Sequence, residues 1–141
     1  MALLPDTSTD ESGAVSVVMN PTWPNKTYRI MIDADRVQGT ITSNLEAVKQ
    51  AVYKIINTER YKFLIYSWNY GIELEDLFGK PIPYVLPEIP RRITEALEQD
   101  DRITNVGDFD LSYNKKGDVL AKFRVTTIYG SFTASKEVRV S

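Results

Sequence analysis

The 141-residue chain has no histidine and no cysteine. Without imidazole there are no Ser-His or Cys-His nucleophile pairs, no histidine-based zinc sites and no imidazole acid–base steps. Without thiols there are no disulfides or thiolate metal sites. Any catalysis would fall to carboxylates, lysine or tyrosine. Positive charge is also short: 17 Lys+Arg against 19 Asp+Glu give a net charge of −2, so no basic field gathers phosphates and nucleic acid is not an expected partner. No run approaches the roughly 20 apolar residues of a membrane span, so no membrane partner is expected either. Met1-Ala2-Leu3-Leu4-Pro5 lacks the basic start and apolar stretch of a signal peptide, and a soluble product made in the cytoplasm is predicted.

Hydrophobic residues make up 43% of the sequence, enough for one core at this length. The division predicted is an acidic, flexible N-terminal arm over residues 1–26 and a single α+β domain over residues 27–141. Within the arm, residues 5–13 carry Asp6, Asp10 and Glu11 without lysine or arginine, a composition that orders only against a partner. Val15 to Met19 could add a short strand.

Tyr28, Ile30 and Ile32 alternate with polar residues, as do Val37, Gly39 and Ile41 beyond the turn Asp33-Ala34-Asp35-Arg36. A hairpin pairing Ile32 with Val37, Ile30 with Gly39 and Tyr28 with Ile41 would bury one face. Thr42 or Ser43, with Glu46, forms a capping-box pattern opening a helix whose apolar stripe is Leu45, Val48, Val52, Ile55 and Ile56. Lys49, Gln50 and Lys54 fall on its solvated face. Four prolines between Pro81 and Pro90 delay the second helix to about Glu88 to Pro90, with Ile89, Ile93, Ala96 and Leu97 as its stripe.

A three-stranded meander closes the chain. A loop at Lys115-Lys116-Gly117 sets Tyr113 opposite Val119, Leu111 opposite Ala121 and Phe109 opposite Phe123. A turn at Gly130-Ser131 sets Phe123 opposite Val138 and Ala121 opposite Val140. The result is two helices on one face of a largely antiparallel sheet, with the last strand at an edge or leaving the domain.

Between the helices lies a connector, residues 58–80, dense in charge and aromatics. Glu73, with Glu75 or Asp76, could act as the paired carboxylates of a peptidoglycan-cleaving hydrolase, although acids set among Ile72, Leu74 and Leu77 also fit the exposed side of a short helix. Tyr61, Phe63, Tyr66, Trp68 and Tyr70 could stack on a sugar in a carbohydrate-binding module, or pack in a core or interface. Asp33 and Asp35, with Asp100 and Asp101, lack a calcium-loop pattern and read as turn residues. Glu59-Arg60 stands apart, because opposite charges among apolar neighbours are costly to bury unless each meets a partner.

Ile55-Ile56-Asn57-Thr58, Glu59-Arg60-Tyr61, Asn69-Tyr70-Gly71-Ile72-Glu73-Leu74, Leu77-Phe78-Gly79, Ile89-Pro90-Arg91-Arg92-Ile93-Thr94-Glu95-Ala96-Leu97 and Asp101-Arg102-Ile103-Thr104-Asn105-Val106 follow one another in a familiar order. In this the chain, from about Tyr28 to Val140, resembles the small baseplate wedge proteins of contractile phage tails and related injection machines, the tail-sheath initiators once labelled lysozyme-like. Its Tyr-Lys-Phe-Leu-Ile-Tyr-Ser-Trp segment is similar to versions in myophages and defective prophages of Gram-positive bacteria.

The resemblance implies a structural, non-enzymatic subunit of the virion tail baseplate, assembled in the host cytoplasm, with no cofactor and no metal. Its implied partners are the core bundle of the larger wedge subunits, sheath subunits that join by strand exchange, and hub or tube proteins reached by the arm. A Glu-Pro-Arg motif of that family contacts the core bundle and falls on Glu59 and Arg60, here without the proline, with Tyr61 beside them. On this reading, charge reversal at Arg60 leaves the domain folded and abolishes incorporation into baseplates.

Overall fold

A computed structural model of the chain describes residues 26–140. The arm expected over residues 1–26, Lys26 apart, and the strand expected near Val15 lie outside the described residues. The elements are β1 (Thr27–Met31), β2 (Arg36–Ile41), α1 (Asn44–Ile56), α2 (Ile82–Leu97), β3 (Ile103–Tyr113), β4 (Asp118–Thr127) and β5 (Gly130–Arg139). The expected α+β architecture is present. β1 and β2 form a two-stranded sheet, and β3, β4 and β5 form an antiparallel meander with β4 in the centre.

The core follows from alternation on β4. Val119, Ala121, Phe123 and Val125 are buried on one face of the meander, and Val48, Val52, Ile55 and Ile56 of α1 and Val85, Ile89, Ile93, Ala96 and Leu97 of α2 close over them. Both predicted helical stripes are therefore the faces that pack, except that Leu45 is only half-buried and Ala47 is fully so.

α2 begins six residues before its predicted start, at Ile82, and holds Pro87 and Pro90 inside it. Each proline removes one backbone hydrogen bond from the helix. Val85, with no exposed surface, extends the buried stripe of Ile89 and Ile93 back by one turn, and its burial, with Ile82 and Leu86 packed against the core, acts against the loss.

In the meander, Tyr113 pairs with Val119 and Leu111 with Ala121, as the first loop required. Gly117 takes φ +88°, and the Asn114 side-chain oxygen accepts the amides of Lys116 and Asp118, each at 3.0 Å. The register shifts between Gly107 and Asp110, where Asp108 turns to φ +53°, so the ladder does not pair Phe109 with Phe123. Their rings still stack at 5.5 Å.

The second hairpin departs from expectation. The turn is Ile128-Tyr129 rather than Gly130-Ser131, and Phe123 pairs with Ala134, Ala121 with Lys136 and Val119 with Val138. Thr127 fixes this turn: its hydroxyl donates to the Gly130 carbonyl at 2.8 Å and accepts the Tyr129 amide at 3.1 Å. The even-numbered slip keeps side chains on their predicted faces while moving every partner.

The first hairpin also differs. Ile30 pairs with Val37, Met31 with Arg36 and Thr27 with Ile41, because Ile32 to Ala34 form a short 3-10 turn and the register shifts between Tyr28 and Ile30. Of these strands only Ile41 is buried; Tyr28, Ile32 and Val37 are exposed. The hairpin is held instead by Gln50, which was expected only to face solvent. Its side-chain amide accepts the Ile30 N–H at 2.9 Å and donates to the Tyr28 carbonyl at 2.7 Å, as a neighbouring strand would. Ser43 caps α1 without a side-chain bond, and the expected capping box is not made. Glu46 turns to Arg29 of β1 instead, at 3.3 Å.

Candidate functional site: a clamped connector beside an open strand edge

At the end of α1, Asn57 and Thr58 side chains donate to the Tyr53 and Lys54 carbonyls, at 2.8 and 2.7 Å, and stop the helix. The chain then forms a parallel bridge across the connector. The Arg60 amide donates to the Ile72 carbonyl at 3.0 Å and the Ile72 amide to the Thr58 carbonyl at 2.9 Å. Residues 61–70 thus leave and return through one clamped neck. Gly71, at φ +93°, permits the close approach: a Cβ there would stand 2.6 Å from the Thr58 carbonyl oxygen.

Glu59 and Arg60, marked for costly burial, both have partners inside the chain. The Glu59 carboxylate accepts the amides of Leu74 at 3.0 Å and Glu75 at 3.1 Å, at the start of a 3-10 turn spanning Glu75–Leu77. Burial pushes its carboxyl above the ordinary value, and the two amide bonds act against that rise. The Arg60 side chain is 8% exposed; it donates to Glu95 of α2 at 2.9 Å and to the Gly71 carbonyl at 3.3 Å. Reversing its charge would therefore set a carboxylate beside Glu95 and Glu73 and loosen the connector. Arg60 cannot report on docking alone, contrary to the simpler expectation.

The three candidate acids are drawn to cations rather than to each other. Glu73 lies 4.0 Å from Arg60, Glu75 pairs with Lys62, and Asp76 with Arg92. Arg92, only 9% exposed, also donates to Glu88 at 3.1 Å and to the Glu73 carbonyl at 2.9 Å. Sequence reading gives Arg92, Glu88 and Glu95 no role in the site. Their only signal is the acid–base spacing Glu88, Arg92 and Arg91, Glu95 along one helix.

Apart from Tyr70, the aromatic segment is neither core nor a flat platform. Tyr61, at φ +67°, tilts against Trp68 with centroids 5.6 Å apart, while Tyr66 stacks on Tyr70 at 4.4 Å. Tyr70 reaches the core, but Leu64 and Ile65 are 102% and 86% exposed and Trp68 80%. Asp33 and Asp35 lie at the β1–β2 turn, and Asp100 is occupied by Arg102, whose Nε stands 2.9 Å away. Burial disfavours the Asp100 charge, but the Arg102 bonds outweigh it and hold the carboxyl below its ordinary value. Among the described residues no group of three acidic side chains is placed to hold a metal ion, and no helix is long and apolar enough to cross a membrane.

Two further features adjoin the connector. β5 is an edge of the meander. Between it and the connector runs a groove of about 620 Å³, lined by Ile56, Phe63, Leu74, Phe78, Lys136 and Val138 among others.

A small α+β domain carries an apolar loop clamped beside a strand edge that no other described strand pairs, and comparison with known sequences gives the class. The family model for contractile injection system sheath initiators matches residues 22–130, and the chain belongs to that family. It is 38% identical over 135 residues, covering 93% of this chain and 92% of the relative, to the phage-like element PBSX protein XkdS of Bacillus subtilis (strain 168). The crystal structure of a Geobacter sulfurreducens protein described as a candidate tail lysozyme aligns with TM-score 0.61, over 74% of this chain and 97% of that one, at 17% identity. That likeness concerns the fold alone. Family membership makes the chain a structural component of a contractile tail baseplate that works through other baseplate and sheath proteins.

Proposed function

We propose that the chain is a non-enzymatic adaptor between the two layers of the tail. The connector, including Glu59, Arg60 and Tyr61, docks on the core bundle of the larger wedge subunits, and the β5 edge starts the sheath by strand exchange. The observation that carries this reading is the exposure of Leu64, Ile65 and Trp68 on a loop whose neck is clamped by two backbone hydrogen bonds. A clamped loop offers apolar surface with little ordering left to lose, which favours binding. Glu59 and Arg60 contribute mainly by fixing the neck, and Tyr61 by packing on Trp68.

A photo-crosslinker at position 64 or 68 in assembling particles is expected to capture larger wedge subunits. Capture of sheath alone would overturn the docking assignment.

The hydrolase alternative finds little support in the geometry. Glu73, Glu75 and Asp76 each face a cation, and none sits in a dry pocket of the kind a general acid needs. Purified protein is expected to leave the turbidity of a cell-wall suspension unchanged. Clearing that Glu73→Gln abolishes would restore the hydrolase. Glycan titration is likewise expected to leave Trp68 fluorescence unchanged, against a carbohydrate-binding module.

A further inference from the structure

The groove beside β5 has chemistry that the strand-exchange reading leaves unused. A two-residue turn closes on a hydrogen-bonded pair, here Thr127 and Gly130, so the even-numbered residues of β5 bond to β4. The main-chain groups of Ser135, Glu137 and Arg139 then point outward, and among the described residues no backbone bond meets them. A strand added along this edge would turn alternate side chains to the helix side, over Lys136 and Val138.

What waits there is partly apolar and partly charged. Phe63 and Phe78 stand as walls with 48% and 63% of their surfaces exposed, above a floor of Ile56 and Val138. Of the groove's acids, Glu59 holds two amides and Glu75 holds Lys62, while Glu137 lies on β5 next to Lys136. Lys136 is different. It is half-buried, and its ammonium, which has three protons to donate, meets Asn57 Oδ1 at 2.9 Å as its hydrogen-bond partner. Burial pulls it below the ordinary lysine value. Glu59 and Glu137 act against that fall, and beyond Asn57 the ammonium has donors for a further acceptor.

We propose, resting on the strand addition above, that this groove selects the incoming segment: an extended strand with a hydrogen-bond-accepting side chain for Lys136 and, two residues away on the same face, a bulky apolar side chain for the space between Phe63, Leu74 and Phe78. The i, i+2 spacing follows from the two-residue repeat of a strand, which sets successive same-face side chains about 7 Å apart. Backbone pairing alone would accept any sequence. The groove adds the preference.

The test mixes the full chain with the sheath subunit of the same particle and follows amide exchange on β5 together with affinity. Lys136→Met keeps the stem and removes the charge; Phe78→Ser removes an exposed wall. Wild-type protein is expected to gain protection at residues 135–139, and each variant to bind sheath at least ten-fold more weakly with an unchanged melting temperature. Protection of β5 with both affinities within two-fold of wild type would overturn the groove and leave strand addition standing. An absence of new protection on β5 would remove both. Full protection in the free chain would show the edge already occupied, by residues 1–25 or a second copy, and would overturn the selection.

Discussion

Gly71→Ala is expected to lower the stability of the domain by about 3 kcal/mol and to open the connector. Its backbone sits at φ +93°, which an L-residue adopts at a cost of roughly 1–2 kcal/mol. A Cβ at 2.6 Å from the Thr58 oxygen and 3.2 Å from the Arg60 nitrogen meets backbone on both sides, so no rotamer relieves it. The chain must part there, with loss of the two neck hydrogen bonds at about 1 kcal/mol each. A thermal melt should fall by roughly 10 °C, and Trp68 emission should change as the loop swings away. Gly79→Ala is the control: it also has positive φ, +81°, but nothing lies within 4 Å of its Cβ, so a loss of about 1 kcal/mol is expected. Equal effects at the two sites would show that the neck carries no strain of its own.

Phe123→Ala is expected to cost about 4 kcal/mol, read as a lower urea midpoint at unchanged slope. Phe123 is 1% exposed at the centre of the meander, beneath both helices and stacked on Phe109. Its removal leaves a void on a rigid central strand that two hydrogen-bonded neighbours prevent from collapsing. Typical domains have about 5–15 kcal/mol in all, so the variant should be near its limit at 37 °C. A loss under 1 kcal/mol would mean that the helices can close over the gap.

These two positions show what was legible in the sequence. Phe123 lies on a strand whose strict alternation announces its buried face, and Lys115 to Gly117 announced their loop because Gly117 takes the left-handed conformation such a loop wants. Glycine misled at Gly130, where Thr127 builds the turn two residues earlier with its own hydroxyl. Proline misled at Pro87 and Pro90, because local cost was weighed without the burial of Val85 and the packing of Ile82 and Leu86 against the core, which act against it.

The site was legible as composition and not as geometry. Two adjacent charges among apolar residues signalled that Glu59 and Arg60 meet partners. Those partners lie 15 residues on at Leu74 and 35 residues on at Glu95, separations no local pattern encodes. The direction of the aromatics was hidden for the same reason: rings this dense suit a core equally well, and only the neck at Gly71 turns Trp68, with Leu64 and Ile65, outward.

The most direct measurement is complementation of particles that lack this subunit with the Leu64→Asp, Ile65→Asp chain, scored by electron microscopy for sheathed tails. Both side chains are exposed, so the purified variant should melt as the wild type does. If the connector docks the subunit in the baseplate, sheathed tails should fall at least ten-fold, with the variant left free in the lysate. Sheathed tails at wild-type frequency, with the variant incorporated, would contradict the account.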